Sequence, residues 1–492
     1  MKLIDLLKGI RVIDIDGPTD IDISKVVDDS RNALKNSLFV AIDGFSVDGH
    51  KYISEAIDNG ASAIVISKEL YEIGNISNED RVTMISVENT RRALARIASR
   101  FYNKPSEKME LIGVTGTNGK TSITYYVEAI FKEYGKKVGI IGSIGNLIDG
   151  ELKRTKNTTP EPLEIQEIFN SMADAEINLC VMEASSHALD LGRVDYCQFD
   201  VGVFTNLTTD HLDYHKNFDN YYNAKIKLFY KTQKCNIINI DDRYGRRIFN
   251  EVKNLKTQLL TYGLDSSADI FASNIVYSAQ GVRYTLNTPK GKITIVTNTP
   301  GEFTVYNTLA AAACGYIYEI DLQTIKQGIE SIKGIKGRFE VIPVDRDFTV
   351  IIDFAHTPEG LENALKTIKQ FATGRIIVLF GGGGDRDRSK RPKMGEIAAK
   401  NSDVCIVTSD NPRSEDPKRI IDEILVGVHK VRNDFISIID RKEAIRYALD
   451  NSMANDVILL AGKGHETYTL IEDTILPFDE RKIVYDILNE EH

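Results

Sequence analysis

Gly113-Val-Thr-Gly-Thr-Asn-Gly-Lys-Thr-Ser122 follows a mostly apolar run at 109–112 and precedes a helical pattern at 123–134 that Gly135 closes. Glycines let backbone approach a phosphate, and the free N–H groups of a helix N-terminus point at the anion. Lys120 can reach the β- and γ-phosphates, and the Thr121 hydroxyl can ligate Mg²⁺. The spacing departs from the strict Walker A pattern, because Val114 stands where the first glycine belongs and Gly113 lies one residue earlier. Strand, loop, Lys-Thr and helix nevertheless coincide, so nucleotide binding is expected at residues 116–122.

The 492 residues suggest about three domains at roughly 150 residues each. Hydrophobic content of 42% and charged content of 27% are those of a globular chain with a real core. A net charge of −10 argues against a nucleic-acid binder. The five cysteines lack paired metal-ligand spacing, so reduced thiols are expected. Met1-Lys-Leu-Ile-Asp-Leu-Leu-Lys8 has no signal-peptide core, and no apolar run has the length of a membrane span. A cytoplasmic protein without membrane insertion is expected.

Working outward toward the N-terminus, short apolar strands at 38–42, 63–66 and 84–87 alternate with helical patterns at 52–59 and 90–101, a small α/β unit. Asp29-Ser30-Arg31 and Asp48-Gly49-His50 fall in its loops, and 103–106 reads as a linker. Beyond the glycine-rich loop, strands at 138–141, 179–182, 201–204 and 237–240 continue a β-α-β pattern around a parallel sheet. Asn157-Thr-Thr-Pro160 is a polar turn. Glu183 ends one strand, where ligands sit in open α/β sheets, and could complete a Mg²⁺ shell begun by Thr121. Another strand leads to Asp210-His-Leu-Asp-Tyr-His215, a dense cluster in a chain with eight histidines. At 221–229 the apolar spacing is helical, and Lys225 and Lys227 read by default as surface lysines. Alternation from 257 to 300 predicts an antiparallel insertion, followed by an alanine-rich buried helix at 308–316.

In the last segment, strands at 349–353, 375–380, 404–408 and 457–461 each end in a polar, Gly- or Pro-bearing loop. Such loops project together to one edge of a parallel sheet. Gly381-Gly-Gly-Gly-Asp-Arg-Asp-Arg-Ser-Lys-Arg391 combines four glycines with four basic residues and predicts an anion site.

Taken together and in order along the chain, these stretches resemble the Mur ligases, ATP-dependent peptide-bond-forming enzymes of bacterial cell-wall synthesis. Thr115-Gly-Thr-Asn-Gly-Lys-Thr121, Asp210-His-Leu-Asp-Tyr-His215, Asp353-Phe-Ala-His-Thr-Pro358 and Gly462-Lys-Gly-His-Glu466 carry the resemblance. It implies an α/β chain of three domains: 1–102 for the uridine nucleotide, a central P-loop-type ATPase at 103–336, and a Rossmann-like amino-acid domain at 337–492. It further implies ATP contacts at Gly116, Thr117, Asn118, Gly119, Lys120, Thr121, Ser122, Asn307, Arg338 and Asp353. Ser30, His50, Asn157, Thr158, Thr159, Ser185 and Arg193 match positions for UDP-MurNAc-L-Ala-D-Glu. Thr121, Glu183, His211 and Lys225 match Mg²⁺ positions, Lys225 being carbamylated by CO₂, and Lys120, His211 and Lys225 are the implied catalytic set. Thr304 stands where the pattern carries asparagine, and Leu191 occupies a position that is sometimes polar.

The chemistry so implied is acyl activation: a substrate carboxylate takes the γ-phosphoryl group of ATP, and an amine displaces phosphate. Arg386, Asp410, Asn411, Pro412, Arg413, Gly462 and Glu466 match the site of members that add meso-diaminopimelate, whose distal carboxylate an arginine can grip. Addition of L-lysine and a folylpolyglutamate synthetase-like ligase are the alternatives, and a monomer is expected.

Overall fold

The structure, a computed structural model, describes residues 1–44, 47–67, 82–278 and 280–490. The strand Glu110–Thr115 occupies the middle of an 11-stranded sheet, between the parallel strands Leu179–Glu183 and Phe199–Phe204. All of it but Glu110 is buried, as an apolar strand covered on both faces should be. Gly113 lies inside this strand, where a methyl group would press on the Phe199 ring and on Leu228. It is a packing glycine. The loop itself turns on Gly116 and Gly119, at φ +151° and +87°, conformations that favour glycine.

Parallel neighbours Val138–Gly142, Thr232–Asn239 and Gln258–Gly263 complete the core of this sheet. The antiparallel insertion expected over 257–300 therefore divides. Gln258–Gly263 contains the buried run Leu260-Thr-Tyr-Gly263 and joins the parallel core, whereas Ile270–Ser278 alternates in burial and opens the antiparallel ladder with Gly281–Thr288 and Gly291–Val296. A second antiparallel extension, Gly145–Ile148 with Glu151–Lys153, borders the other edge. The helix Lys120–Glu133 packs beneath the sheet with Glu302–Ile317, whose run Ala310-Ala-Ala-Ala-Cys314 is fully buried.

Among the described residues the N-terminal sheet has five strands, of which Lys25–Val27, Ser37–Val40, Ala61–Ile66 and Thr83–Val87 are parallel. Val12–Asp16 is its antiparallel edge. The segment at 103–106 is folded rather than loose: Asn103 and Lys104 turn at positive φ into the 3₁₀ helix Pro105–Lys108. In the C-terminal sheet, Thr349–Asp353, Val457–Ala461, Ile376–Phe380 and Val404–Val407 lie side by side and parallel, so their C-terminal loops do share one edge.

Two helices on that sheet, Lys390–Asn401 and Pro417–Val428, cross at Gly395 and Gly427. A side chain at Gly427 would collide with the Pro392 carbonyl oxygen, and one at Gly395 with that of Ile424. Above this crossing, Arg391 Nη1 donates to Glu423 Oε2 (2.7 Å) and Nη2 to Glu415 Oε1 (2.8 Å) and the Gly383 carbonyl (2.9 Å). Gly427→Ala should destabilise the chain by about 1–3 kcal/mol through overpacking, read as a lower melting temperature. Hydrogen bonds from Arg391 hold the Glu415 carboxyl down at about 2. A depressed folded-state pKa stabilises above the unfolded value and is lost as pH falls through the folded one. The stability gap between the parent and Glu415→Gln should thus be full at neutral pH and close between about pH 4.3 and pH 2, measured by denaturant titration.

Candidate active site between the central and C-terminal units

A cleft of about 670 Å³ opens where the C-terminal edges of the central and C-terminal sheets face each other. The P-loop residues Thr117, Asn118, Gly119, Lys120, Thr121 and Ser122 line one wall. Lys120 Nζ folds back onto the carbonyls of Gly116 (3.0 Å) and Thr117 (2.8 Å). Behind the loop, Lys225 Nζ donates to the same Gly116 carbonyl at 2.8 Å. Lys225 is 1% exposed, so its assignment to the surface is overturned. The helix Phe218–Ile226 turns it inward, next to Tyr221, whose ring lies 4.6 Å from its ammonium. Helical periodicity marks a face but cannot say whether a lysine on its border meets water or a second element. Lys227, by contrast, reaches the surface and pairs with Asp190 at 2.7 Å. Burial, reinforced by the Lys120 charge, lowers the Lys225 pKa far below the ordinary lysine value.

Thr121 Oγ1 donates to Glu183 Oε1 (2.9 Å) and accepts from Arg338 Nη2 (3.0 Å). Glu183 also receives the Ser143 N–H at 2.8 Å. Among the described residues no three His, Cys, Asp or Glu side chains converge on a metal-sized point. The Thr121–Glu183 oxygen pair instead suits an ion that keeps water and phosphate in its shell, as Mg²⁺ does. Arg338 stacks on the Phe354 ring at 4.7 Å, and its buried Nε has no protein partner among the described residues. Asp353 Oδ2 accepts the Phe339 N–H, and burial raises its pKa against the pull of Arg338. Asn307 lies behind the loop, against Gly119, where any side chain on that glycine would meet its amide oxygen. Thr304 spends its hydroxyl on the carbonyl of Pro300, just before its own helix, at 3.0 Å.

The dense histidine cluster separates. His211, at φ +52°, and Asp213 face the cleft. His215 turns away, bonded to Ser186 Oγ at 2.9 Å and stacked on Tyr221. Burial and the neighbouring charges of His187, Lys225 and Lys120 outweigh Asp210 and keep His211 neutral at pH 7. Asp210 is held ionised, despite its burial, by the Lys390 ammonium on its Oδ1. Lys390 comes from the opposite unit and closes on Asp210 Oδ1 at 2.6 Å.

Beside the P-loop, Asn157, Thr158 and Ser185 line the cleft. Thr159 is buried beneath it, donating to the Glu183 carbonyl (2.6 Å) and accepting from the Ser185 N–H (3.0 Å). Arg193 bonds the Thr159 carbonyl (3.0 Å) and pairs with Glu161 (2.7 Å). Ser30 and His50 lie outside this cleft. Ser30 Oγ donates to Glu55 at 2.7 Å. The Ser67 N–H donates to His50 Nε2 at 3.1 Å, which leaves the proton on Nδ1, 2.6 Å from Asp48 Oδ1. Both ring nitrogens of His50 are thus occupied within the protein.

Across the cleft, the expected anion site is narrower than its composition suggested. Arg391 and Arg388 pair with Glu415, at 2.8 and 2.9 Å, and Lys390 with Asp210. Arg386 is left facing the cleft beside Arg413, without a carboxylate partner among the described residues. Composition counts charges, whereas the carboxylates that neutralise them arrive from 415 and 210, far along the chain. Arg413 stands at φ +51°, its Nη1 on the Gly384 carbonyl at 2.8 Å. Gly384 makes this possible, since a side chain there would strike the Pro412 carbonyl. Asn411 Nδ2 donates to Glu466 Oε2 at 2.8 Å, and Asp410 and Gly462 complete the wall. Ser143, His187, His356, His465 and Tyr468 also line the cleft, and sequence reasoning gave none of them a role; Lys390, expected in the anion site, lines it too. The motif signal for His356 and His465 was present, since each sits in a loop quoted above.

The family model described as the Mur ligase middle domain matches residues 114–315, the Mur ligase glutamate ligase domain matches 337–464, and the Mur ligase family catalytic domain matches 22–102. The chain is 48% identical over 490 residues to the UDP-N-acetylmuramoyl-L-alanyl-D-glutamate–2,6-diaminopimelate ligase of Caldanaerobacter subterraneus subsp. tengcongensis, covering 100% of this chain and 99% of the relative. It is 46% identical over 491 residues to the protein of that name from Clostridioides difficile, with both chains fully covered. A solved structure of a UDP-N-acetylmuramoyl-L-alanyl-D-glutamate–2,6-diaminopimelate ligase superposes with a TM-score of 0.70 at 29% identity, over 100% of this chain and 99% of that one. With the P-loop, the shared sheet edge and full-length relatives in agreement, the chain belongs to the Mur ligase family.

Proposed function

We propose that this chain joins meso-diaminopimelate to the D-glutamate carboxylate of UDP-MurNAc-L-Ala-D-Glu, with ATP converted to ADP and phosphate. The observation that carries the reading is the meeting, in one cleft, of the P-loop with the Arg386–Arg413 pair and Glu466. The names of the full-length relatives support the same amino acid. Residues 1–102 are assigned to the uridine nucleotide, 103–336 to ATP and 337–492 to the amino acid. Within the first unit, Ser30 and His50 act by holding their loops, because their polar atoms are already bonded. The family match at 22–102 favours this over a folylpolyglutamate synthetase-like ligase.

In the proposed mechanism, the N-terminus of helix Lys120–Glu133 and the Lys120 ammonium receive the phosphates, Lys120 exchanging its present carbonyl partners for anionic oxygens. The substrate carboxylate attacks the γ-phosphorus, ADP leaves, and the resulting acyl-phosphate is attacked by the amine through a tetrahedral intermediate that expels phosphate. No protein nucleophile is required, and the residues work by positioning and charge. Thr121, Glu183, His211 and a carbamylated Lys225 would hold Mg²⁺, which would neutralise charge on the transferred phosphoryl group. Carbamylation needs a neutral amine, and burial beside Lys120 favours that form of Lys225. Arg386 and Arg413 grip the distal carboxylate of diaminopimelate, a group that L-lysine lacks.

Mass spectrometry of the product formed from ATP, UDP-MurNAc-L-Ala-D-Glu and a mixture of diamino acids should show the diaminopimelate adduct. Equal or better turnover of L-lysine would overturn the assignment. Arg413→Ala should raise KM for diaminopimelate by roughly 10- to 100-fold, the loss of a charge-assisted hydrogen-bond pair. Incubation with ¹³C-bicarbonate should give a carbamate carbon resonance that Lys225→Ala lacks.

A further inference from the structure

Lys463 is fully buried, yet it stands in the wall of the amino-acid site rather than in an apolar core. Its Nζ donates to Asn411 Oδ1 (3.0 Å) and to the Tyr468 carbonyl (2.8 Å), both neutral acceptors. The two carboxylates nearby stay just beyond hydrogen-bond reach, Asp410 Oδ1 and Glu466 Oε2 each at 3.9 Å. A lysine serving as a plain buried ion pair would close on one of them. Here the ammonium lies between both and leaves Glu466 Oε2 to the Asn411 amide.

Asn411 translates this placement into geometry. Its Oδ1 accepts from Lys463 Nζ and, at 3.0 Å, from the Leu470 N–H, so both lone pairs are in use. The reversed amide would set its NH₂ against an ammonium and a backbone N–H. The orientation is therefore fixed, and Nδ2 must point at Glu466 Oε2, 2.8 Å away. Leu470 belongs to the hairpin Tyr468–Ile471 with Thr474–Pro477. The same hairpin holds Arg413, whose N–H donates to the Leu470 carbonyl (3.1 Å) and whose carbonyl accepts from the Glu472 N–H (2.8 Å). Lys463 and the hairpin thus secure from behind the residues that face the cleft.

We infer that Lys463 is a positioning residue for amino-acid recognition: through Asn411 it aims the Glu466 carboxylate at the ammonium group of the incoming amino acid. The inference rests on the proposed function of this site and adds to it a residue that touches no substrate. Its charge works in the same direction. Burial and Asp410 raise the Glu466 pKa, and Lys463 and Arg413 oppose them, favouring the anion that an ammonium group requires.

The test uses the full chain with Lys463→Met, which keeps length and removes the ammonium, and Lys463→Gln, which restores a neutral hydrogen-bond donor. Initial rates are measured while diaminopimelate, ATP and UDP-MurNAc-L-Ala-D-Glu are varied in turn. Acyl-phosphate formation is followed separately, by trapping with hydroxylamine in place of the amino acid. Lys463→Met should raise KM for diaminopimelate on the order of tenfold or more. KM for ATP and for the nucleotide substrate should hold, as should hydroxamate formation, and Lys463→Gln should recover part of the loss. An unchanged KM for diaminopimelate in Lys463→Met would overturn the inference, as would a uniform fall in every parameter including hydroxamate formation. The split is read with whichever amino acid the parent uses, so a wrong substrate assignment shows in the parent and a wrong inference in the variants.

Discussion

Two lysine ammonium groups share one peptide carbonyl at the end of the central strand, and the rest of the site is arranged around that crowding. Lys120 lies 3.0 Å and Lys225 2.8 Å from the Gly116 oxygen, one in front of the loop and one behind it. Like charges so close, with little water, raise the free energy of the cationic pair. Two changes relieve it: an anion arriving at Lys120, or loss of positive charge at Lys225. In the proposed function, a phosphate at the helix N-terminus would supply the first and carbamylation the second. Gly116 and Gly119 make the crowding possible. Their left-handed backbone angles turn the loop, and their missing side chains leave room for Thr205 and Asn307.

The opposite wall follows another principle. Its arginines and carboxylates are mostly committed to one another, and this commitment leaves a few groups free. Arg391 is tied to Glu415 and Glu423, and Lys390 reaches across to Asp210, so Arg386 and Arg413 are left facing the cleft. Fixed hydrogen bonds behind the visible residues cost no reorganisation when the ligand arrives. Lys390–Asp210 also joins the two units, together with Arg338 on Thr121 at 3.0 Å.

Much of the fold was legible because its strands are short apolar runs ending in distinctive loops. Thr349–Asp353 and Val457–Ala461 could be placed at their bounds from such runs, and the start of Glu110–Thr115 to within a residue, though its run ended three residues early. The misreadings share one cause. Gln258–Gly263 was grouped with the alternating strands after it because a run of six residues cannot reveal how many of its faces are covered. Lys225 passed for a surface residue because period alone does not say what packs on a helix border. The basic cluster at 386–391 passed for four free cations because its carboxylates lie elsewhere in the chain. Thr304 does not replace a nucleotide contact in kind, for its hydroxyl is bonded to the Pro300 carbonyl that precedes its helix.

What the sequence determined by itself was the P-loop, the order of the three α/β segments and the loops that meet at the sheet edges, since each depends on residues close together in the chain. Only the tertiary structure decided which charges remain free. It buried Lys225 and Lys463, occupied both nitrogens of His50, turned His215 away from the cleft while His211 faced it, and left Arg386 beside Arg413. The physical reason is that a side chain's chemistry is set by its partners and its access to water, and most of those partners lie tens to hundreds of residues away.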